Sequence, residues 1–102
     1  MSHPPKEWFP SCYTDDTLLP ALEAALRVTP ALTAVARWLP EGCTNVEIGK
    51  RLKKSEYTVR SQAQRLSSDL GVESREALVA RIVAKTWAYA CCTGAWPPPG
   101  SG

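Results

Sequence analysis

Several features of catalytic, metal-binding and membrane proteins are lacking in these 102 residues. The four cysteines form no Cys-x-x-Cys pair and the single histidine is His3, so we expect no metal site and no cofactor. No run approaches the ~18 apolar residues that a membrane span needs. Residues 1–6 lack the apolar stretch of a signal peptide. The sequence therefore predicts a cytoplasmic protein with free thiols and no membrane partner.

Residue sets typical of catalysis are lacking as well. No grouping of nucleophile, base and orienting residue is recognisable, and no glycine-rich loop is present to hold a phosphate. We therefore expect that the protein is not an enzyme.

The numbers of basic and acidic residues are nearly equal, but the basic residues are concentrated in one segment. Twelve basic and ten acidic residues give a formal net charge of +2, which by itself does not indicate a nucleic-acid partner. Six of the twelve basic residues lie within sixteen positions, namely Lys50, Arg51, Lys53, Lys54, Arg60 and Arg65. This patch favours a surface that docks phosphates, although a solvated charged face is the usual alternative. Arg51 is also expected to pair with a carboxylate inside the domain.

Composition divides the chain into an arm, a domain and a tail. Residues 1–14 hold several prolines and predict an irregular N-terminal arm whose aromatic residues Trp8, Phe9 and Tyr13 pack on the domain. Residues 15–92 predict a single helical domain, and 93–102 a flexible Pro/Gly tail.

Apolar spacing and cap residues predict an all-α domain of five helices. The first helix begins at residues 15–17 and ends near Val28, with Pro20 in its first turn. The second begins at Thr29-Pro30 and stops at Pro40 and Gly42. Their expected apolar positions are Leu18, Leu19, Leu22, Leu26, Leu32, Val35, Ala36 and Leu39.

The next two helices have the layout of a helix-turn-helix unit that reads DNA. Thr44 or Asn45 caps the third helix, Lys53-Lys54 follow it, and Ser55 caps the fourth. The expected core positions of these two helices are Val46, Ile48, Gly49, Leu52, Val59, Ala63, Leu66 and Leu70. Gly71 provides a left-handed stop, and a fifth helix runs from Ser74 to about Cys91.

Chemistry on the outer face of the fourth helix fits base recognition. Arg60 has the fork that binds guanine O6 and N7 in the major groove, a contact that discriminates by ~1–3 kcal/mol. Gln64 lies one turn further on, and either pairs with adenine or is simply an exposed polar residue. Thr44, Asn45 and Ser55 either donate to phosphate or serve only as helix caps.

Residues 28–79 carry the motifs of one family without a gap. They are Thr29-Pro30, Val35, Leu39, Glu41-Gly42, Asn45-x-Glu47-Ile48, Arg51-Leu52, Ser55-Glu56-x-Thr58-Val59-Arg60, Leu70-Gly71-Val72, Arg75 and Leu78-Val79. On these residues the chain resembles the LuxR/GerE-type helix-turn-helix domain, the DNA-binding end of many bacterial regulators. The match covers about half of the chain and places the unit at residues 28–86.

The resemblance implies a four-helix LuxR-type bundle with an additional N-terminal helix, whose helix at about 56–69 enters the major groove. Implied base contacts are Arg60, Ser61 and Gln64. Implied contacts to the DNA backbone are Thr44, Asn45, Lys54, Ser55, Thr58 and Arg65. Dimerisation is implied for the last helix, with Leu78, Ile82, Thr86, Trp87 and Tyr89 as the expected interface.

The implied function is that of a stand-alone, dimeric transcription regulator that binds double-stranded DNA sequence-specifically. Another LuxR-type regulator or RNA polymerase is a further candidate partner. The chain departs from the family pattern at Ala31-Leu32, Lys53-Lys54, Gln62 and Asp69. Lys53-Lys54 occupy a turn that usually holds glycine and an aliphatic residue, and Asp69 stands where lysine is usual. A carboxylate at Asp69 repels phosphate. The alternative is therefore a protein-interaction module that forms heterodimers with a full-length LuxR-type regulator and inhibits it.

Overall fold

The computed structural model describes residues 8–10, 13 and 15–93. This part of the chain forms five α-helices and no β-strand: α1 (Asp15–Leu26), α2 (Pro30–Trp38), α3 (Asn45–Leu52), α4 (Glu56–Leu70) and α5 (Arg75–Thr93). The predicted all-α fold is confirmed. The rest of the predicted arm, and the predicted tail from residue 94 onward, lie outside the described residues.

Hydroxyl side chains define where four of these helices begin. Thr29, Thr44, Ser55 and Ser74 each accept a hydrogen bond from the backbone N–H three residues further on, at 3.0–3.3 Å. Such a cap satisfies one of the unpaired N–H groups of the first turn and stabilises a helix by about 1 kcal/mol. The predicted caps are confirmed, and Thr44 is the cap of α3 in preference to Asn45.

A residue in the left-handed backbone conformation ends each of the helices α1 and α4. Gly71, at φ 71°, donates its N–H to the carbonyl oxygens of Ser67 and Ser68, as predicted. α1 ends at Leu26, before the predicted Val28, because Arg27 adopts φ 57° and turns the chain. Pro20 was expected in the first turn of α1, and this is wrong. α1 begins at Asp15, so Pro20 is its sixth residue and removes one hydrogen bond within the helix.

One apolar cluster joins all five helices. α4 packs against α2 and α3, while α1 packs against α5 and α2. The buried side chains are Leu18, Leu22, Leu26, Leu32, Val35, Ala36, Leu39, Ile48, Val59, Leu66, Leu70, Leu78 and Ile82. Most of the predicted core is therefore confirmed. Leu19 and Val46 were expected in it but are 41% and 45% exposed, because they lie on the outward sides of α1 and α3.

The described part of the N-terminal arm packs on the helical domain through its aromatic residues, as predicted. Trp8, Phe9 and Tyr13 contact the apolar cluster. The indole of Trp8 donates to Glu41 Oε2 at 3.0 Å, and the indole of Trp87 donates to the Trp8 carbonyl at 2.7 Å. The arm thus joins the end of α2 to the last helix.

Candidate nucleic-acid interface

A short turn connects α3 to α4. Lys53 adopts the left-handed conformation (φ 58°, ψ 47°), and the backbone N–H groups of Lys53 and Lys54 both donate to the carbonyl oxygen of Gly49. A non-glycine residue in this conformation costs on the order of 1 kcal/mol. The turn therefore keeps its left-handed residue without the usual glycine, and Ser55 starts α4 directly after it.

The two faces of α4 have different roles. Val59, Leu66 and Leu70 are buried in the core, whereas Arg60, Ser61 and Gln64 are exposed on the opposite side. Tyr57 lies on that outer side and is 75% exposed. The predicted division of this helix into a core face and a polar face is confirmed. A polar stripe on a helix whose back is fixed by packing is suited to insertion into a groove.

The arginines of α4 pair with carboxylates of the same helix. Arg60 Nη2 lies 3.7 Å from Glu56 Oε2, and Arg65 Nε donates to Asp69 Oδ1 at 3.3 Å. Two arginines and two carboxylates leave α4 without net charge. All four side chains are exposed, so each pair contributes little and can be exchanged for a phosphate contact.

The proposed phosphate-contacting hydroxyls are occupied by capping interactions. Thr44 Oγ1 accepts from the Glu47 backbone N–H, and Glu47 Oε1 accepts from the Thr44 N–H, which completes a capping box. Ser55 Oγ accepts from the Thr58 N–H at 3.1 Å and donates to Thr58 Oγ1 at 3.0 Å. These bonds show that Thr44 and Ser55 act as helix caps. Both residues are exposed, so they also remain accessible to a ligand.

The basic patch is less uniform than its sequence indicates. Lys50 and Lys53 are exposed, while Lys54 Nζ donates to Gln62 Oε1 at 3.3 Å. Arg51 was expected to pair with a carboxylate, but no such ion pair forms within the described chain. Its guanidinium instead lies 4.4 Å from the ring centroid of Trp38, a cation–π contact.

Sequence reasoning missed the role of Arg75, which it used only as a motif position. Arg75 Nη1 donates to Asn45 Oδ1 at 3.1 Å, and Nη2 donates to the Cys43 carbonyl at 2.8 Å. A signal was present, because a cation in the first turn of a helix opposes the helix dipole. Arg75 is the first residue of α5, where its charge is unfavourable for the helix. This indicates that its guanidinium is stabilised by acceptors from another part of the chain.

A shallow depression of about 150 Å³ lies beside the outer face of α4. It is lined by side chains that include Arg75, Asn45, Arg60 and Gln64. Glu73 lines it too. The structure thus brings together three of the predicted DNA-contacting residues with one that was not predicted.

The predicted dimer residues are divided between the core and the surface. Leu78, Ile82 and Thr86 are at most 2% exposed within a single chain, and their role in a dimer interface stays a prediction. The apolar stripe of α5 is covered by the chain's own α1 and α4. Trp87 and Tyr89 are half-buried, and Trp87 already donates to the arm.

No family model matches the chain, and no curated protein or solved structure does either. No single helix of the described chain is long and apolar enough to cross a membrane. α1 and α2 meet that criterion only as a pair, which is bent by 113°. Within residues 8–10, 13 and 15–93, no group of three or more His, Cys, Asp or Glu side chains is placed to hold a metal ion.

Proposed function

We propose that the protein is a transcription regulator of the LuxR/GerE helix-turn-helix type that binds double-stranded DNA and reads its major groove with α4. One observation carries the proposal. α4 follows α3 across a short left-handed turn, its inner face is fixed in the core, and its outer face presents Arg60, Ser61 and Gln64 to solvent. This is the arrangement by which a recognition helix reaches base edges.

Local charge supports contact with phosphate on either side of that helix. The turn carries Lys53 and Lys54, and α3 carries Lys50 on its exposed side. Neutralised phosphates release counterions, so the affinity falls with salt in proportion to the number of phosphates contacted. Because α4 itself has no net charge, most of this salt dependence comes from α3, the turn and the helix starts.

The proposed active form is a dimer that binds an inverted repeat with one α4 per half-site. Half-sites lie about 34 Å apart, one helical turn of DNA, in dimers of this kind. The resemblance places the dimer interface on α5, where Trp87 and Tyr89 are half-buried within a single chain. A cytoplasmic location, and an encounter with RNA polymerase or another LuxR-type regulator at the promoter, belong to the same proposal.

One observation favours a second candidate function. Glu56 and Asp69 neutralise the arginines of α4, and a carboxylate at Asp69 faces any phosphate that approaches the end of this helix. A helix-turn-helix unit with a disabled DNA face acts instead as an interaction module that forms heterodimers with a full-length regulator and inhibits it.

Selection of binding sites from a random pool of DNA duplexes tests the proposal. The full chain is compared with Arg60→Ala, Asp69→Lys and a matched control, Arg27→Ala, which removes an exposed arginine at the end of α1. We expect wild type and Arg27→Ala to enrich the same palindromic motif, and Arg60→Ala to lose it while it stays folded by circular dichroism. Enrichment by Asp69→Lys alone would support the interaction module. Absence of enrichment by every protein would refute DNA reading.

A further inference from the structure

Arg75 ties the start of α5 to the start of α3. It reaches across 30 positions of sequence to Asn45 and across 32 to Cys43, and it donates to an oxygen of each. Asn45 is the first residue of α3, and Cys43 immediately precedes the cap Thr44. The Arg75 guanidinium therefore holds the Cys43 backbone and the Asn45 side chain at the N-terminal end of α3, beside the depression.

The hydrogen-bond chemistry fixes which way the Asn45 amide points. A guanidinium has donors only, so the atom of Asn45 that faces Arg75 is the acceptor Oδ1. The Nδ2 amino group of Asn45 must then point away from Arg75. It is a donor, and donors are what a phosphate oxygen accepts from.

We propose that Arg75 is a positioning residue that holds the Asn45 amino group ready to donate to one phosphate of the DNA backbone. This inference rests on the proposed DNA-binding function and adds a residue to it. Asn45 and Arg75 share their depression with Arg60 and Gln64, so the phosphate lies beside the base-reading stripe of α4. Fixing the amide before binding removes the entropy cost of ordering it afterwards.

A double-mutant cycle separates positioning from a general structural role. Wild type, Arg75→Ala, Asn45→Ala and the double variant are titrated with the selected operator over a range of salt concentrations. We expect each single variant to weaken binding by up to about tenfold, because Asn45→Ala removes a hydrogen bond to a charged phosphate and Arg75→Ala leaves the Asn45 amide to be ordered on binding. The double variant is expected to bind no more weakly than Asn45→Ala, because Arg75 acts through Asn45.

Two further variants keep the result interpretable. Arg81→Ala is the matched control, because Arg81 is an α5 arginine that also donates to a backbone carbonyl, that of Leu70, away from the depression. Asn45→Asp keeps an acceptor for Arg75 but replaces the donor with a negative charge. We expect Arg81→Ala to bind as wild type does when both are folded, and Asn45→Asp to be as stable as wild type yet to bind DNA more weakly than Asn45→Ala.

Each outcome decides a different question. Additive penalties in the cycle, or wild-type affinity for Asn45→Asp, would overturn the role of Arg75 and leave DNA binding standing. Loss of binding by Arg81→Ala to the same extent would identify the Arg75 effect as a general weakening of α5, and would also overturn the inference. A wild-type chain that binds no DNA would overturn the proposed function itself.

Discussion

The Cα of Gly49 faces the backbone of Lys54 so closely that a Cβ built on Gly49 would lie 2.6 Å from the Lys54 carbonyl oxygen. Real Cβ atoms do not approach an oxygen at this distance. Glycine at position 49 therefore allows the turn after α3 to fold back onto α3, and this contact sets where α4 begins.

Substitution of Gly49 is expected to destabilise the fold although alanine is the better helix former. Gly49→Ala forces the backbone of the turn to move, and overpacking of this kind typically costs about 1–3 kcal/mol. The free energy of unfolding from urea denaturation measures the effect. Lys50→Ala, at the neighbouring exposed position of the same helix, serves as the control and should change stability by less than about 0.5 kcal/mol. A Gly49→Ala variant as stable as wild type would show that the turn is not held by this contact.

Lys53 is expected to be a site where glycine stabilises the protein. Its left-handed backbone (φ 58°) strains a residue with a Cβ, and this strain exceeds the entropy that glycine gains in the unfolded chain. We expect Lys53→Gly to raise the free energy of unfolding by about 0.5–1 kcal/mol. Lys53→Ala separates the effect of conformation from the effect of charge, because it removes the charge but keeps the Cβ. An equal gain from both variants would assign the effect to charge.

Ser55 lets capping be separated from DNA contact. Aspartate caps a helix as well as serine does, whereas alanine does not. Ser55→Ala is expected to lose about 1 kcal/mol of stability, since Ser55 Oγ accepts from the Thr58 N–H. Ser55→Asp should keep that stability and lose affinity for DNA, because its charge repels phosphate. Thermal denaturation and operator binding, measured on the same samples, give the two readouts. If Ser55→Asp bound the operator as well as wild type does, Ser55 would be a cap and nothing more.

Glu41 is expected to contribute more to stability than any surface ion pair of α4. Its Oε2 accepts from both Arg37 and Trp8, and the side chains of Arg37 and Glu41 are only 10% and 16% exposed. Glu41→Gln removes a charged acceptor of both the Arg37 guanidinium and the Trp8 indole in a poorly hydrated position, which should cost about 2 kcal/mol.

The matched control for Glu41 is Glu56→Gln, which breaks the exposed pair with Arg60. Its cost should stay below about 0.5 kcal/mol. Urea unfolding of both variants compares the two pairs directly. Equal small losses would mean that water reaches the Arg37 pair as freely as it reaches the surface.

The parts of this fold that sequence predicts are those that local chemistry decides. A hydroxyl at Ser55, a glycine at Gly71 and apolar residues spaced at three and four positions each act within one or two turns of helix. Their outcome depends little on what the rest of the chain does. The helix starts and the two faces of α4 were therefore predictable.

Contacts between distant positions were not predictable in the same way. Arg37 looks like an ordinary polar residue of α2, and its burial depends on Trp8 and Glu41 meeting around it. The apolar spacing of α5, which includes Leu78 and Ile82, predicts that this face of the helix is covered by other protein atoms, but it does not say by which. Periodicity does not distinguish a cover made by the chain's own α1 from one made by a second copy, and here α1 covers it.

The hydrogen bond from Trp87 to Trp8 spans 79 positions of sequence. At roughly 5–20 residues per second, about 4–16 s of synthesis separate these two residues. During this time α1 can already pack against α2, but the part of its apolar face that packs against α5 is not yet covered. The five-helix core therefore becomes complete only once α5 has been synthesised.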